Sequence, residues 1–153
     1  DLVLDTTDMN VHALATNITE LFSDSGPIVL RLNVMSFGFK YGLPVDANFV
    51  ADARFIPNPH WIPELRPHTG LERQVSEFVL QESGAEEFIK RYVDALEPVL
   101  EGYRRENKHY ATIAVGCTGG KHRSVAVAVE LAKRLAQLPR VKVAVQHRDL
   151  GRE

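Results

Sequence analysis

Two rhythms of apolar positions run along this chain, one of period two and one of helical spacing. Leu2 to Asp5 read as a short strand. Asp8 then stands at the N-cap of a stretch in which Val11, Leu14, Ala15, Ile18, Leu21 and Phe22 recur as on one helix face, closed by Ser25-Gly26-Pro27. Ile28, Leu30, Leu32 and Val34 alternate with Val29, Arg31 and Asn33, the pattern of a strand with one covered face. The stretch SFGFKYGLP (36–44) is rich in glycine and aromatics and reads as a loop. NFVADARFI (48–56) is strand-like, with Asp52 and Arg54 two apart and therefore on one face. Residues 57–70 hold four of the eight prolines, which rules out regular helix and central strand. A long ordered loop of this kind often carries function.

The second half repeats the alternation. Residues 71–81 read as a short helix. Ser83 and Glu86 have capping-box spacing ahead of a longer one, whose buried stripe is Phe88, Ile89, Tyr92, Val93, Leu96, Leu100 and Tyr103. Pro98 is expected to kink that helix. A strand over 111–116 leads into a glycine turn. Val125, Ala128, Val129, Ala132, Leu135 and Ala136 then mark a helix, ended by Pro139, and Val141, Val143 and Val145 a last strand. Strands alternating with helices predict an α/β fold with a mostly parallel sheet flanked by helices.

The turn, Gly116-Cys117-Thr118-Gly119-Gly120-Lys121-His122-Arg123-Ser124, concentrates the chemistry of the chain. A loop that leaves a strand and enters a helix presents unpaired N–H groups and the positive end of the helix dipole. Glycines allow a ligand to approach the backbone, and such turns bind anions. Lys121, His122 and Arg123 add positive charge, Thr118 and Ser124 add hydroxyls, and an arginine can hold a phosphate bidentately. The turn is not a nucleotide P-loop: three residues, not four, separate Gly116 from Gly120-Lys121, and His122 stands where a hydroxyl would hold magnesium. Cys117 to Arg123 spells Cys-x5-Arg, which resembles the phosphate loop of cysteine-dependent phosphatases. In that reading Cys117 is a thiolate nucleophile, Arg123 binds the phosphoryl group, and Asp46 or Asp52 is the candidate general acid. A buried structural thiol is the simpler alternative.

The chain has 153 residues, 44% hydrophobic and 25% charged, enough for one domain with its own core. A single cysteine excludes an internal disulfide and fits a reducing cytosol. No run has the apolar length of a membrane span, and no signal peptide is visible. The first residue is not Met, so a piece of a longer protein is expected. Net charge is −2, but residues 1–27 carry five acidic side chains and no Lys or Arg, while residues 133–153 are basic. His60, His68, Cys117, His122 and His147 lack paired metal-ligand spacing, so no metal is expected.

The stretches FGFKYGLPVDANFVADARFIPNPHWIPELRPHTG and GCTGGKHRSV resemble the C-terminal domain of the RNase adapter protein RapZ family. The opening DLVLDTTDMNVHAL resembles the tail of that family's N-terminal P-loop ATPase-like domain, which this chain lacks. The resemblance therefore divides the chain into a junction over 1–25 and a C-terminal sugar-phosphate-binding regulatory domain over 26–153. It implies a fold similar to a sugar-binding part of phosphofructokinase and a cytoplasmic, non-catalytic sensor of a phosphorylated amino sugar, glucosamine-6-phosphate. It also implies no cofactor in this domain, with ATP or GTP bound by the N-terminal domain of relatives. Expected partners are a small regulatory RNA presented to an endoribonuclease, regulatory proteins, and further copies of the chain.

On this resemblance the phosphate falls to Thr118, Gly119, Gly120, Lys121, His122, Arg123 and Ser124. On their chemistry, Lys40, Tyr41, Gly42, Asp52, Arg54, Asn58, His60, Arg66, Thr69, Gly70, His147 and Arg148 are the further candidates for the sugar. Asp52 with Arg54 reads equally well as a structural ion pair. Arg140, Lys142, Arg148 and Arg152 are the candidates for RNA. The C-terminus QHRDLGRE is short and mixed in sign, and no aromatic–basic platform for stacking bases is visible.

Overall fold

The computed structural model describes residues 28–152. The strand and helix expected within residues 2–22, and the junction expected over 1–25, lie outside them. The order of elements is β1 (Leu30–Gly38), β2 (Phe49–Asp52), α1 (Arg73–Gln81), α2 (Ala85–Arg105), β3 (Tyr110–Cys117), α3 (Arg123–Leu135) and β4 (Val141–His147). The four strands form one sheet in the order β2-β3-β1-β4, and every pairing is parallel.

Connectivity follows from strand order. The steps from β2 to β3 and from β3 to β4 run the same way across the sheet, so right-handed crossovers place α1, α2 and α3 on one face. The step from β1 back to β2 runs the other way, and its connection crosses the opposite face. Leu30, Leu32 and Val34 of β1 and Ala111, Ile113 and Val115 of β3 point toward the helices and are buried. α3 is buried around most of its first two turns, from Arg123 to Ala128, because it lies on the sheet and under α1 and α2. The core runs from these residues through Val75, Val79, Ile89, Leu96, Leu100, Leu131 and Leu135.

On the other face the sheet is exposed at its first row and along β4, while Thr112, Ala114 and Gly116 of β3 and Phe37 of β1 are buried. Register places Tyr110, Arg31 and Lys142 in one row across β3, β1 and β4, all three exposed. An aromatic–basic row therefore exists where none was visible in the sequence. It is hidden there because its members lie 32 to 111 residues apart and meet only through strand register.

Three local expectations are corrected. β1 continues through Ser36, Phe37 and Gly38, which the glycine and aromatics had marked as loop. Those residues pair with Val115, Gly116 and Cys117, and all three are buried. α2 opens at Gly84, whose φ of +88° begins the helix without any side-chain cap, so Ser83 and Glu86 form no capping box; Glu86 instead pairs with Arg134. α2 contains Pro98, on its exposed side. β2 stops at Asp52, because Arg54 folds back onto the Asp52 carboxylate, with Nε 2.9 Å from Oδ1 and Nη2 2.7 Å from Oδ2.

Candidate functional site

The C-terminal ends of β1 and β3 meet at the glycine turn, the place where parallel α/β sheets bind ligands. The backbones there are in intimate contact. Gly38 ends β1 beside the turn, and a Cβ on Gly120, whose φ is +77°, would lie 2.7 Å from the Gly38 amide nitrogen. The Lys40 amide donates to the Thr118 carbonyl at 3.2 Å. The proline loop closes over the start of α3: the Gly70 amide donates to the Lys121 carbonyl at 2.9 Å, and a Cβ on Gly70 would lie 2.3 Å from the His122 carbonyl. Within that loop Asn58 accepts from the His60 amide at 3.1 Å and begins the short turn Pro59–Trp61.

Between turn and loop lies a cleft of about 390 Å³. From the turn it is lined by Cys117, Thr118, Gly119, Lys121 and His122, from the segment after β1 by Lys40, and from the proline loop by Asn58, His60, Trp61 and Arg66. The sequence candidates thus divide. Thr118, Gly119, Lys121, His122, Lys40, Asn58, His60 and Arg66 converge on the cleft. Gly120, Arg123 and Ser124 stand behind it and are buried. Trp61 lines the cleft at 74% exposure and was not among the candidates. Its signal was a tryptophan inside a proline loop, where no regular element could bury it.

None of the lining residues is Asp or Glu, and Lys40, Arg66 and Lys121 bring cationic side chains to the cleft. His122 does not add the charge expected of it. It is buried, and that burial holds its imidazole below the usual histidine range, outweighing its hydrogen bond to the Arg66 carbonyl at 3.2 Å. A carbonyl only accepts, so Nε2 carries the hydrogen and the ring is a neutral donor at pH 7.

Arg123 is 5% exposed. Its Nη1 donates to the Arg54 and Ile56 carbonyls at 3.2 and 3.0 Å, and its Nη2 to Thr118 Oγ1 at 3.3 Å. Its Nε is buried with no hydrogen-bond partner among the described residues. The Cys117 thiol donates to Ser124 Oγ at 3.1 Å, and both residues are buried. α3 has no side-chain N-cap, so its first amides are left to the turn.

The remaining candidates build the frame around the cleft. Arg54 pairs with Asp52 and lies 3.9 Å from the Phe39 ring centroid. Hydrogen bonds from Arg54 hold the Asp52 carboxyl below its ordinary range. The Thr69 amide and His68 bond to the Glu72 carboxylate at the start of α1. His147 Nδ1 and Ser36 Oγ are 2.7 Å apart. The Tyr41 hydroxyl donates to the Arg152 carbonyl, and Arg148 Nη2 to the Gly42 carbonyl at 2.6 Å. Asp149, which the sequence did not single out, is fully buried and accepts from Arg148, Arg152 and the Gly38 amide.

The four RNA candidates do not form one patch. Arg148 and Arg152 are committed to Asp149, Lys142 lies on the exposed sheet face, and Arg140 precedes β4 at the opposite end of the sheet. Among the described residues no cluster of His, Cys, Asp and Glu could hold a metal ion, and no helix is long and apolar enough to cross a membrane.

Comparison with known proteins gives a consistent picture. Residues 30–151 match the model of the RapZ C-terminal domain. The whole chain is 78% identical to one half of a nucleotide-binding protein of Paenarthrobacter aurescens and 78% identical to half of another of Renibacterium salmoninarum. It is 65% identical to half of one from Kocuria rhizophila. The chain spans about half the length of these relatives. With four-fifths of its residues matched and its glycine turn and proline loop both inside that match, the chain belongs to the RapZ C-terminal domain family.

Proposed function

We propose that this regulatory domain is a non-catalytic receptor for a phosphorylated sugar, with glucosamine-6-phosphate the ligand that the family resemblance implies, and that occupancy is relayed to partner molecules. The observation that carries this reading is the Arg123 guanidinium. It is buried beside the glycine turn, anchored on one side by two backbone carbonyls, bonded on the other to Thr118 of the cleft, and left with an orphaned Nε–H. A buried donor without a partner costs roughly 1–3 kcal/mol. A phosphate oxygen seated beside Thr118 would satisfy it. Lys40 and Lys121 then balance the phosphate charge, the Gly119 amide approaches it, and Asn58, His60 and Trp61 meet the sugar. The cleft offers no carboxylate to an ammonium, so the phosphate dominates recognition.

A phosphatase mechanism fits these side chains less well. Asp52 is held ionised by Arg54 and so is no proton donor, and Asp46 lines a groove on the exposed sheet face. The nucleotide-binding names of the relatives we assign to the half of those proteins outside this chain. Calorimetric titration with glucosamine-6-phosphate, glucose-6-phosphate and glucosamine tests the reading. Both phosphates should bind and glucosamine should not. Equal binding of all three, or of none, would overturn it.

A second reading, RNA binding, is favoured by the row of Tyr110, Arg31 and Lys142 on the exposed sheet face. Exposed aromatics on a sheet stack bases, and flanking cations meet the phosphates. Binding of a single-stranded RNA should weaken steeply with salt and fall further in Tyr110→Ala. Salt-independent binding that ignores this substitution would dismiss the row.

A further inference from the structure

At the end of the domain opposite the cleft, Arg104 and Arg105 close α2, and Arg140 stands just ahead of β4. With Ile28 and Glu101 they line a cavity of about 210 Å³. The dipole of α2 accounts for cations in its last turn. It does not account for the state of Arg104, whose Nε and Nη1 are both buried and have no hydrogen-bond partner among the described residues. Glu101 supplies one carboxylate to this cluster, at 3.9 Å from Arg105 Nη1, so among the described residues that line the cavity three guanidinium charges face one carboxylate.

Arg140 carries an independent mark. Its φ is +59°, the left-handed region that bulky side chains rarely enter. The conformation is pinned by the Leu30 amide, which donates to the Arg140 carbonyl at 3.0 Å. Glycine would adopt this backbone freely. A strained arginine brought up to an orphaned arginine is repulsive in isolation, and burial together with the Arg140 charge lowers the pKa of Arg104.

We propose that Arg104, Arg105 and Arg140 form a second anion site, independent of the cleft, that takes a phosphate group. The net charge of the four ionised side chains, +2, matches a phosphate dianion. The two orphaned donors of Arg104 supply hydrogen bonds to its oxygens.

The test is to follow the arginine Nε–H signals and the backbone amides of the 15N-labelled 153-residue chain during titration with inorganic phosphate, pyrophosphate and, as a carboxylate control, acetate. The Arg104 Nε–H signal should move saturably with the two phosphates and little with acetate. Arg140→Gly should fold with a raised Tm, because it relieves the left-handed backbone, yet need about tenfold more phosphate to shift Arg104. An Arg104 signal that ignores both phosphates, or that responds identically in Arg140→Gly, would overturn the proposal. The Gly119 and Gly120 amides report on the cleft in the same spectra, so failure of one site is read separately from failure of the other.

Discussion

The Gly38 amide donates to Asp149 Oδ2 at 2.8 Å, joining the end of β1 to the segment after β4, 111 residues later. The Asp149 carboxylate is fully buried and also holds Arg148 and Arg152. Burial works against its charge, but the hydrogen bonds from Arg148, Gly38 and Arg152 outweigh burial and hold the carboxyl below its ordinary range. Because Gly38 lies against Gly119 and Gly120, this one carboxylate braces the glycine turn from behind.

Asp149→Ala should therefore destabilise the domain. Removing the carboxylate leaves the buried Gly38 amide without its acceptor and releases two partly exposed arginines, at a cost of about 1–3 kcal/mol. Urea denaturation checks it. A loss under about 1 kcal/mol, typical of exposed pairs, would show that the carboxylate is dispensable.

Gly70→Ala should disconnect the proline loop. Its new Cβ would lie 2.3 Å from the His122 carbonyl and 2.7 Å from the Ala126 amide, both backbone atoms that no rotamer change can move. Overpacking of this kind costs about 1–3 kcal/mol. The loop also carries Asn58, His60, Trp61 and Arg66 to the cleft, so sugar phosphate affinity should fall at least tenfold while the fold survives. Unaltered affinity would mean the loop does not shape the site.

The strands, the helices and the glycine turn could be read from the chain because each is a local pattern: alternation at 28–34, the stripe of α2, glycines between strand and helix. Ser36 to Gly38 escaped because pairing with β3, not local composition, makes them strand. Most of the cleft lining was also apparent: Thr118, Gly119, Lys121, His122 and Lys40 carry obvious anion chemistry, and Asn58, His60 and Arg66 stand out as polar residues of the proline loop. What remained hidden depends on distant partners. Asp149 looks like one charge among several in HRDLGRE until Gly38 and two arginines close on it. Arg123 looks like a free phosphate ligand until the Arg54 and Ile56 carbonyls take its Nη1.

Stability should decline on mild acidification. Burial lowers the pKa of both His122 and His147 in the folded state. A base with a depressed folded pKa binds protons more readily when unfolded. Its contribution is complete above the unfolded value of about 6.5 and is lost as pH falls from there toward the folded value. The urea midpoint should be lower at pH 5.5 than at pH 7.5, and His122→Gln, which keeps a donor for the Arg66 carbonyl, should reduce that difference. If the variant shows the full decline, the proton is taken up elsewhere. Asp149, Asp52 and Glu72 act in a separate, lower window: their depressed pKa values stabilise above about pH 4 and fail below it.

Arg123→Lys separates charge from geometry. A lysine keeps the positive charge, but one ammonium cannot replace the planar fork that spans two backbone carbonyls and the Thr118 hydroxyl. Leaving buried carbonyls without donors should cost about 1–3 kcal/mol of stability. Loss of the Nε–H should weaken sugar phosphate binding by about 1.5–3 kcal/mol, the range for a hydrogen bond to a charged group. Because a destabilised fold could lower affinity indirectly, the decisive measurement is a double-mutant cycle with Thr118→Val under conditions where both variants are folded. If guanidinium and hydroxyl act on one phosphate, their effects on affinity should couple by more than about 0.5 kcal/mol. Strict additivity would mean that guanidinium and hydroxyl share no phosphate, which is then held by Lys40, Lys121 and the backbone.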